Sequence, residues 1–276
     1  MRNQSQRLLV ITSIFISMAG LGCELGNPQD YEHNTESGEL ELSQSASRQA
    51  ECDDEVTQGY IDTIEALSNW SFGEIDKTHP DYCKIVEETL DALDKYLEDA
   101  PFLVEAKIII KIKNTKGIYK GLSVAAFTQG NSDGSHTITH YNPNAATSVI
   151  IPVQSSGGGP LAANMGSAKA DKAKEVKKGD PPTKDEIEIT VHHEFGHVYW
   201  NQLGAEDKEL WNELAALLID LGLQPNQPYS GGNYFEVVEK NGDHMEGFCV
   251  AWSFVQSGQP VDSSITAFFD GLKNQD

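Results

Sequence analysis

The amino-acid sequence predicts an α+β fold in which helices precede and follow a short meander of strands. Helical spacing of apolar residues occupies 54–70 and 79–99, and β-branched, partly alternating runs follow between 107 and 153. Beyond residue 183 the apolar spacing returns to the helical period. Elements in this order are typical of an α+β architecture, here with a small antiparallel or mixed sheet.

The start of the chain has the pattern of a secretory signal peptide, predicted over residues 1–22. A basic region at 1–7 precedes an apolar run at 8–21 that is too short to span a membrane as a mature helix. The run ends before Cys23 and resembles the lipobox of bacterial lipoproteins, although Gly20 stands where that pattern has Leu, Val or Ile. The resemblance implies a lipidated Cys23 and an exported protein anchored to a bacterial membrane or cell surface. The alternatives are a secreted soluble protein and an uncleaved anchor.

Composition divides the remaining chain into three predicted parts. Residues 23–53 are polar and acidic with few aromatic residues, which is typical of a flexible tether. Residues 54–106 are predicted to form an N-terminal helical segment, and 107–276 a domain that carries the chemistry. The formal charge of −22 argues against nucleic acid or an anionic lipid surface as a partner.

Three cysteines remain if Cys23 carries lipid, and export permits them to form disulfides. Cys52 and Cys83 would close a loop of about thirty residues. Pairing of Cys249 with either of the others stays open.

Periodicity and turn residues place the other elements of the 107–276 domain. The run at 107–113 is β-branched, and segments rich in Gly, Asn, Asp and Pro separate it from later strand candidates. The predicted strands are 107–113, 121–128, 136–141 and 147–153. The predicted C-terminal helices are 208–223, 243–257 and 263–273.

The motif His193-Glu194-Phe195-Gly196-His197 gives the clearest chemical signal. Histidines four residues apart lie on one face of a helix, so both imidazoles can reach a single zinc ion. Glu194 falls on the neighbouring face, where it can act on water without binding the metal. A capping-box pattern at Thr183 and Glu186 begins this helix, and apolar residues on all sides predict that it is buried.

Catalytic zinc takes three protein ligands and leaves one position for water. The candidates for the third ligand are Glu236, Glu239, His244 and Glu246. Glu246 is preferred because it begins a helix of small and apolar residues that can press against the motif helix.

The motif HEFGH, followed about fifty residues later by Glu246-Gly247-Phe248-Cys249-Val250-Ala251-Trp252, resembles the gluzincin branch of zinc metallopeptidases, near the lethal-factor-like families. The resemblance covers residues 185–256 and implies a zincin-like metallopeptidase domain with one catalytic Zn²⁺. It implies that His193, His197 and Glu246 bind the metal and that Glu194 is the general base.

The chain departs from that pattern in three ways. Cys249 stands where the family has Ala, either as a small packing residue or as a redox-sensitive neighbour of the site. No acidic residue follows Glu246 by four positions, so the hydrogen bond that orients a ligand histidine must come from elsewhere. The group that stabilises the oxyanion is not fixed by spacing, and Tyr234 and His244 are the candidates.

Three further histidines are predicted to lie outside the metal site. His192 points to a different helix face from His193 and is interpreted as structural. His136 and His140 fall on one side of a strand and are not expected to be ligands.

The predicted function is that of a zinc metalloendopeptidase acting on a peptide or protein substrate by metal-activated water. An exposed strand edge from 107–153 is expected to bind the extended substrate. One alternative is a catalytically inactive zincin-fold surface lipoprotein that serves as a binding protein. Another makes His244 a fourth ligand in a closed, structural zinc site.

Overall fold

The computed structural model describes residues 52–152, 184–223, 235, 238 and 242–273, all within a compact unit spanning Cys52–Asp276. The predicted signal peptide, Cys23, nearly all of the predicted tether, Thr183 and Tyr234 lie outside the described residues. In the ranges that the structure describes, no helix is both long enough and apolar enough to cross a membrane.

The described residues form a mixed α+β structure, as the sequence predicts. The seven helices are α1 (Asp54–Leu67), α2 (Tyr82–Asp99), α3 (Pro101–Glu105), α4 (Lys184–Gln202), α5 (Ala205–Leu221), α6 (Met245–Gln256) and α7 (Ser263–Lys273). The seven strands are β1 (Trp70–Ile75), β2 (Ile108–Lys113), β3 (Lys116–Tyr119), β4 (Leu122–Val124), β5 (Ala126–Gly130), β6 (His136–Tyr141) and β7 (Ser148–Ile150).

The larger sheet is mixed and has the strand order β1-β2-β6-β5. Strands β1, β2 and β6 run parallel, whereas β5 pairs antiparallel with β6 and forms an edge of the sheet. In β2, buried Ile108, Ile110 and Ile112 alternate with partly buried residues, so one face of the strand lies in the core. The three isoleucines belong to the same buried core cluster as Phe195 of the HEFGH motif.

The N-terminal segment at 54–106, which the sequence predicts to be helical, also contains strand β1. It pairs with β2 from Trp70↔Ile108 to Ile75↔Ile112, so the sheet crosses the predicted boundary between 106 and 107. The segment is therefore part of the same compact unit as the motif. The residue pattern does not predict this strand, because the apolar residues Trp70, Phe72 and Ile75 do not alternate strictly and Gly73 interrupts them.

A second sheet, of order β4-β3-β7, includes the unpredicted strand β3. Strands β3 and β4 form a hairpin whose turn residues Lys120 and Gly121 have φ values of 49° and 84°. Positive φ at both positions suits the twist of a tight hairpin and is easiest at glycine. The predicted strand at 121–128 is thereby divided between β4 and β5, which lie in different sheets.

Helix α4 is buried among aromatic residues from both ends of the described chain, as its apolar composition predicts. The ring of Phe195 lies 4.5 Å from that of Trp70 on β1 and 5.3 Å from that of Tyr96 on α2. On the other side, Tyr199 packs edge-on against Trp252 of α6 at 4.9 Å. Packing from three elements fixes the rotation of α4 about its axis, and with it the direction of the motif side chains.

The cysteine pairing that the sequence left open is Cys52 with Cys83, which ties the start of α1 to the first turn of α2. Cys249 is outside this disulfide and is buried in α6.

The core also buries His140, on the same face of β6 as Ile138. Burial, together with the nearby charge of His79, lowers the pKa of His140 to about 3. The unfolded chain therefore binds a proton below about pH 6.5 that the folded chain does not bind until about pH 3. His140 therefore lowers the free energy of unfolding as the pH falls from about 6.5 to about 3, and it has no effect on that free energy at higher pH.

We expect His140→Gln to make the metal-free protein less sensitive to acid. Between about pH 7.5 and about pH 4.5, the parent should lose up to about 2 to 3 kcal/mol more unfolding free energy than the variant. Urea unfolding at both pH values, with chelator present and the disulfide intact, measures the difference. Equal pH dependence in the two proteins would contradict a neutral, buried His140.

Candidate metal centre

Helices α4 and α6 bring together three side chains that could hold a metal ion: His193, His197 and Glu246. Nε2 of His193 lies 3.4 Å from Oε2 of Glu246, and Nε2 of His197 lies 3.8 Å from Oε1. All three donor atoms lie within 4.8 Å of one another. The two imidazole rings are 5.0 Å apart because their residues are one helical turn apart on α4.

Two glycines let the third donor approach this closely. A Cβ at Gly196 would lie 2.9 Å from Cα of Cys249, so α4 and α6 touch backbone to backbone at that point. A Cβ at Gly247 would lie 3.3 Å from Cα of Phe235. Glu246 is in the first turn of α6, where the positive end of the helix dipole favours a carboxylate.

Electrostatics prepare Glu246 to act as an anionic ligand. Burial raises the pKa of this carboxyl, but the charge of His197 and the hydrogen bond and charge of His193 outweigh burial and bring its pKa to about 2. Two imidazole nitrogens and one carboxylate form a ligand set that zinc takes in catalytic sites. The donor set therefore fits the metal that the sequence predicts.

Glu194 is buried beside this group, and its carboxylate is held by a residue of the sheet. Oγ1 of Thr128, on the edge strand β5, donates to Oε2 of Glu194 at 2.6 Å and lies 3.1 Å from the backbone oxygen of Glu194. Burial raises the pKa of Glu194, as does the charge of Glu246, while His197 and Thr128 act in the opposite direction. A carboxylate with a raised pKa is suited to accept and release a proton near neutral pH.

The sequence did not single out Thr128, because its role depends on the pairing of β5 with β6 and the packing of α4 on the sheet. Tyr119 is a second residue near the site that the sequence did not single out. Burial raises the pKa of its phenol, and the charge of Glu246 raises it further, so this tyrosine lies close enough to interact with the metal-site carboxylate. Its ring packs 4.9 Å from that of Phe127, the neighbour of Thr128 on β5.

His244 is the N-cap residue of α6 and is outside the three-residue group. Its Nδ1 lies 3.0 Å from the backbone oxygen of Phe235. Its backbone N–H donates to Oδ1 of Asn212 at 2.8 Å, and its carbonyl accepts from Nε1 of Trp211 at 2.9 Å. These contacts fasten the start of α6 to α5, and they place His244 as a structural support for the turn that carries Glu246. Tyr234, the other predicted oxyanion group, lies outside the described residues.

Three further histidines, His136, His140 and His192, are described by the structure and are not part of the three-residue group. Nδ1 of His192 lies 2.6 Å from the hydroxyl of Tyr96, on the side of α4 that faces α2. Burial and the charge of Lys95 lower the pKa of His192 to about 3, so it is a neutral core residue. His136 and His140 share the inner face of β6, and neither belongs to the three-residue group.

Cys249 supplies a contact that its position in the sequence did not specify. Its Sγ lies 3.3 Å from Nδ1 of His197, whereas Nε2 of the same ring faces Glu246. Within the described residues, the site thus combines three donors for one cation, a carboxylate that is not a donor, and an adjacent sheet edge.

Comparison of the chain with known protein families, with curated proteins and with solved structures gave no match in any of the three.

Proposed function

We propose that this protein is a zinc-dependent endopeptidase whose site consists of His193, His197, Glu246 and Glu194. One observation carries the proposal: the three donor atoms lie within 4.8 Å of one another, while Glu194 is adjacent and bonded to Thr128. A purely structural zinc site closes with four protein ligands. Three ligands with one more buried carboxylate beside them, here that of Glu194, form the arrangement that metal-assisted hydrolysis requires.

His193, His197 and Glu246 would hold the ion. When bound, zinc supplies a Lewis acid that polarises a carbonyl oxygen and lowers the pKa of water towards about 7. The protein's own part is to bring two imidazoles and one ionised carboxylate to a single point. The pKa of Glu246, about 2, keeps that carboxylate ionised throughout the physiological range.

Glu194 would accept a proton from the attacking water at its carboxylate and pass it to the nitrogen of the leaving amine. Burial raises the pKa of Glu194, which makes its carboxylate a stronger base towards the proton of the water. The hydroxyl of Thr128 would keep the carboxylate in one rotamer through the bond to Oε2.

The edge strand β5 would bind the substrate backbone. It lies at one side of the sheet order β1-β2-β6-β5, and Thr128 joins it to the motif helix. An extended peptide that adds to such an edge gains main-chain hydrogen bonds, which give affinity without much sequence preference. The reaction is therefore proposed to be endoproteolysis of extended or unfolded segments.

Export and lipid attachment through Cys23 complete the proposal. The Cys52–Cys83 disulfide supports export, because structural disulfides form in oxidising compartments. The protein would then act at a bacterial membrane or cell surface, or outside the cell if Cys23 is not lipidated.

Removal and return of the metal test the proposed activity. The purified protein should bind one zinc ion and generate new amino termini from an unfolded protein substrate. Chelation should abolish cleavage, and zinc should restore it where magnesium does not, because magnesium prefers oxygen ligands. Cleavage that persists after zinc has been depleted would contradict the proposal. Zinc binding without cleavage of any member of a peptide library would instead identify an inactive zincin-fold surface lipoprotein.

A further inference from the structure

We propose that Cys249 is a positioning residue of the metal site, which fixes the tautomer and the ring orientation of His197 through a sulfur hydrogen bond. The inference rests on the proposed function. It answers a question that the sequence leaves open, namely which group orients a ligand histidine when no acidic residue stands four positions after Glu246.

The direction of the bond follows from the position of the two ring nitrogens. Nε2 of His197 faces Glu246 at 3.8 Å, and Nδ1 faces Sγ of Cys249 at 3.3 Å. A cation between the three donors needs the lone pair of Nε2, so the ring hydrogen must be on Nδ1. Nδ1–H then donates to the sulfur, which is a weak acceptor.

Because Cys249 is buried, loss of its hydrogen bond with Nδ1 of His197 is expected to cost more free energy than the weakness of sulfur as an acceptor suggests. Cys249 is 0% exposed, and its helix is packed against α4 at Gly196 with no space for a side-chain atom. If the sulfur were removed, the N–H of His197 would lose this acceptor. A buried donor without an acceptor loses its full solvation, which is a larger penalty than a typical hydrogen bond gains.

The choice of sulfur also has a chemical consequence. A carboxylate in this position would make the ligand histidine more basic and would bring another negative charge beside Glu246 and Glu194. A thiol orients the ring without adding charge. The site is therefore expected to keep more of the metal's Lewis acidity than one with a carboxylate behind His197.

The experiment compares zinc affinity in the full chain for the parent, Cys249→Ala, Cys249→Ser and Val250→Ala. Competition with a chromophoric chelator at fixed pH gives the dissociation constants, and the same proteins loaded with cobalt give the visible spectra of the site. Val250 is also 0% exposed on α6, so Val250→Ala controls for the loss of packing in this helix.

We expect Cys249→Ala to bind zinc about 10- to 100-fold more weakly than the parent, with altered cobalt bands. Cys249→Ser should lose less, because its hydroxyl restores an acceptor at somewhat shorter reach. Val250→Ala should bind zinc as the parent does, even where its thermal unfolding temperature falls as much as that of Cys249→Ala.

Three results would overturn the positioning role while leaving the proposed metal site intact. They are equal zinc affinity in Cys249→Ala and the parent, an equal loss in Val250→Ala, and a thiolate-to-cobalt charge-transfer band in the parent. The last would make Cys249 a ligand. A parent protein that binds no zinc would instead overturn both this inference and the proposed function.

Discussion

Replacement of Glu194 by glutamine is expected to slow peptide hydrolysis by about 10²- to 10⁴-fold, the usual contribution of a general base, while the protein still binds one zinc ion. Glutamine keeps the size of the side chain and an oxygen that can accept from Oγ1 of Thr128, now at 2.6 Å from Oε2. It removes the one property that the proposed role requires, since an amide does not take up a proton near neutral pH.

Zinc stoichiometry and the rate of cleavage of an unfolded substrate should be measured on the same preparation. The matched control is Glu188→Gln, which changes another partly buried carboxylate of α4 that pairs with Lys95 at 3.0 Å. The control should cleave at close to the parent rate. A Glu194→Gln variant as fast as the parent would show that the base is another group.

The two candidate donors on α4 could be brought together from the sequence alone because their geometry is local. His193 and His197 are four residues apart, and helical geometry alone places their rings one above the other, here at 5.0 Å. Glu246 is 53 positions beyond His193, and the preference for it rested on the apolar composition of its helix and on the resemblance to gluzincins. The structure brings its carboxylate to the same point as the two imidazoles.

Contacts between distant segments could not be predicted in this way. Thr128 meets Glu194 only because β5 pairs antiparallel with β6 and becomes the edge beside α4. Cys249 meets His197 only because α6 packs against Gly196 without an intervening side chain. Thr128 belongs to no motif with a fixed spacing, and the place of Cys249 in the segment after Glu246 does not specify that its sulfur meets Nδ1 of His197. The order of predicted helices and strands along the chain did predict the α+β class, because the class depends on the types of element and not on which strands pair.

Gly196→Ala is expected to weaken zinc binding by more than tenfold and to lower the free energy of unfolding by about 1 to 3 kcal/mol, the usual cost of overpacking a core. The added Cβ would lie 2.9 Å from Cα of Cys249, which is backbone and cannot rotate away. Helix α6 must therefore shift, and Glu246 shifts with it. Both imidazoles remain on α4, so the variant should keep two donors and lose the position of the third.

Gly59→Ala is the matched control, because Gly59 is in the middle of α1 and nothing lies within 4 Å of a Cβ built there. Alanine has the higher helix propensity, so this variant should gain up to about 1 kcal/mol and bind zinc as the parent does. Zinc titration and urea unfolding of the chelated proteins separate the two effects. If Gly196→Ala were destabilised but retained full zinc affinity, α6 would have adjusted without moving Glu246. If both quantities matched the parent, the close approach of α4 and α6 would not be what holds the carboxylate at the site.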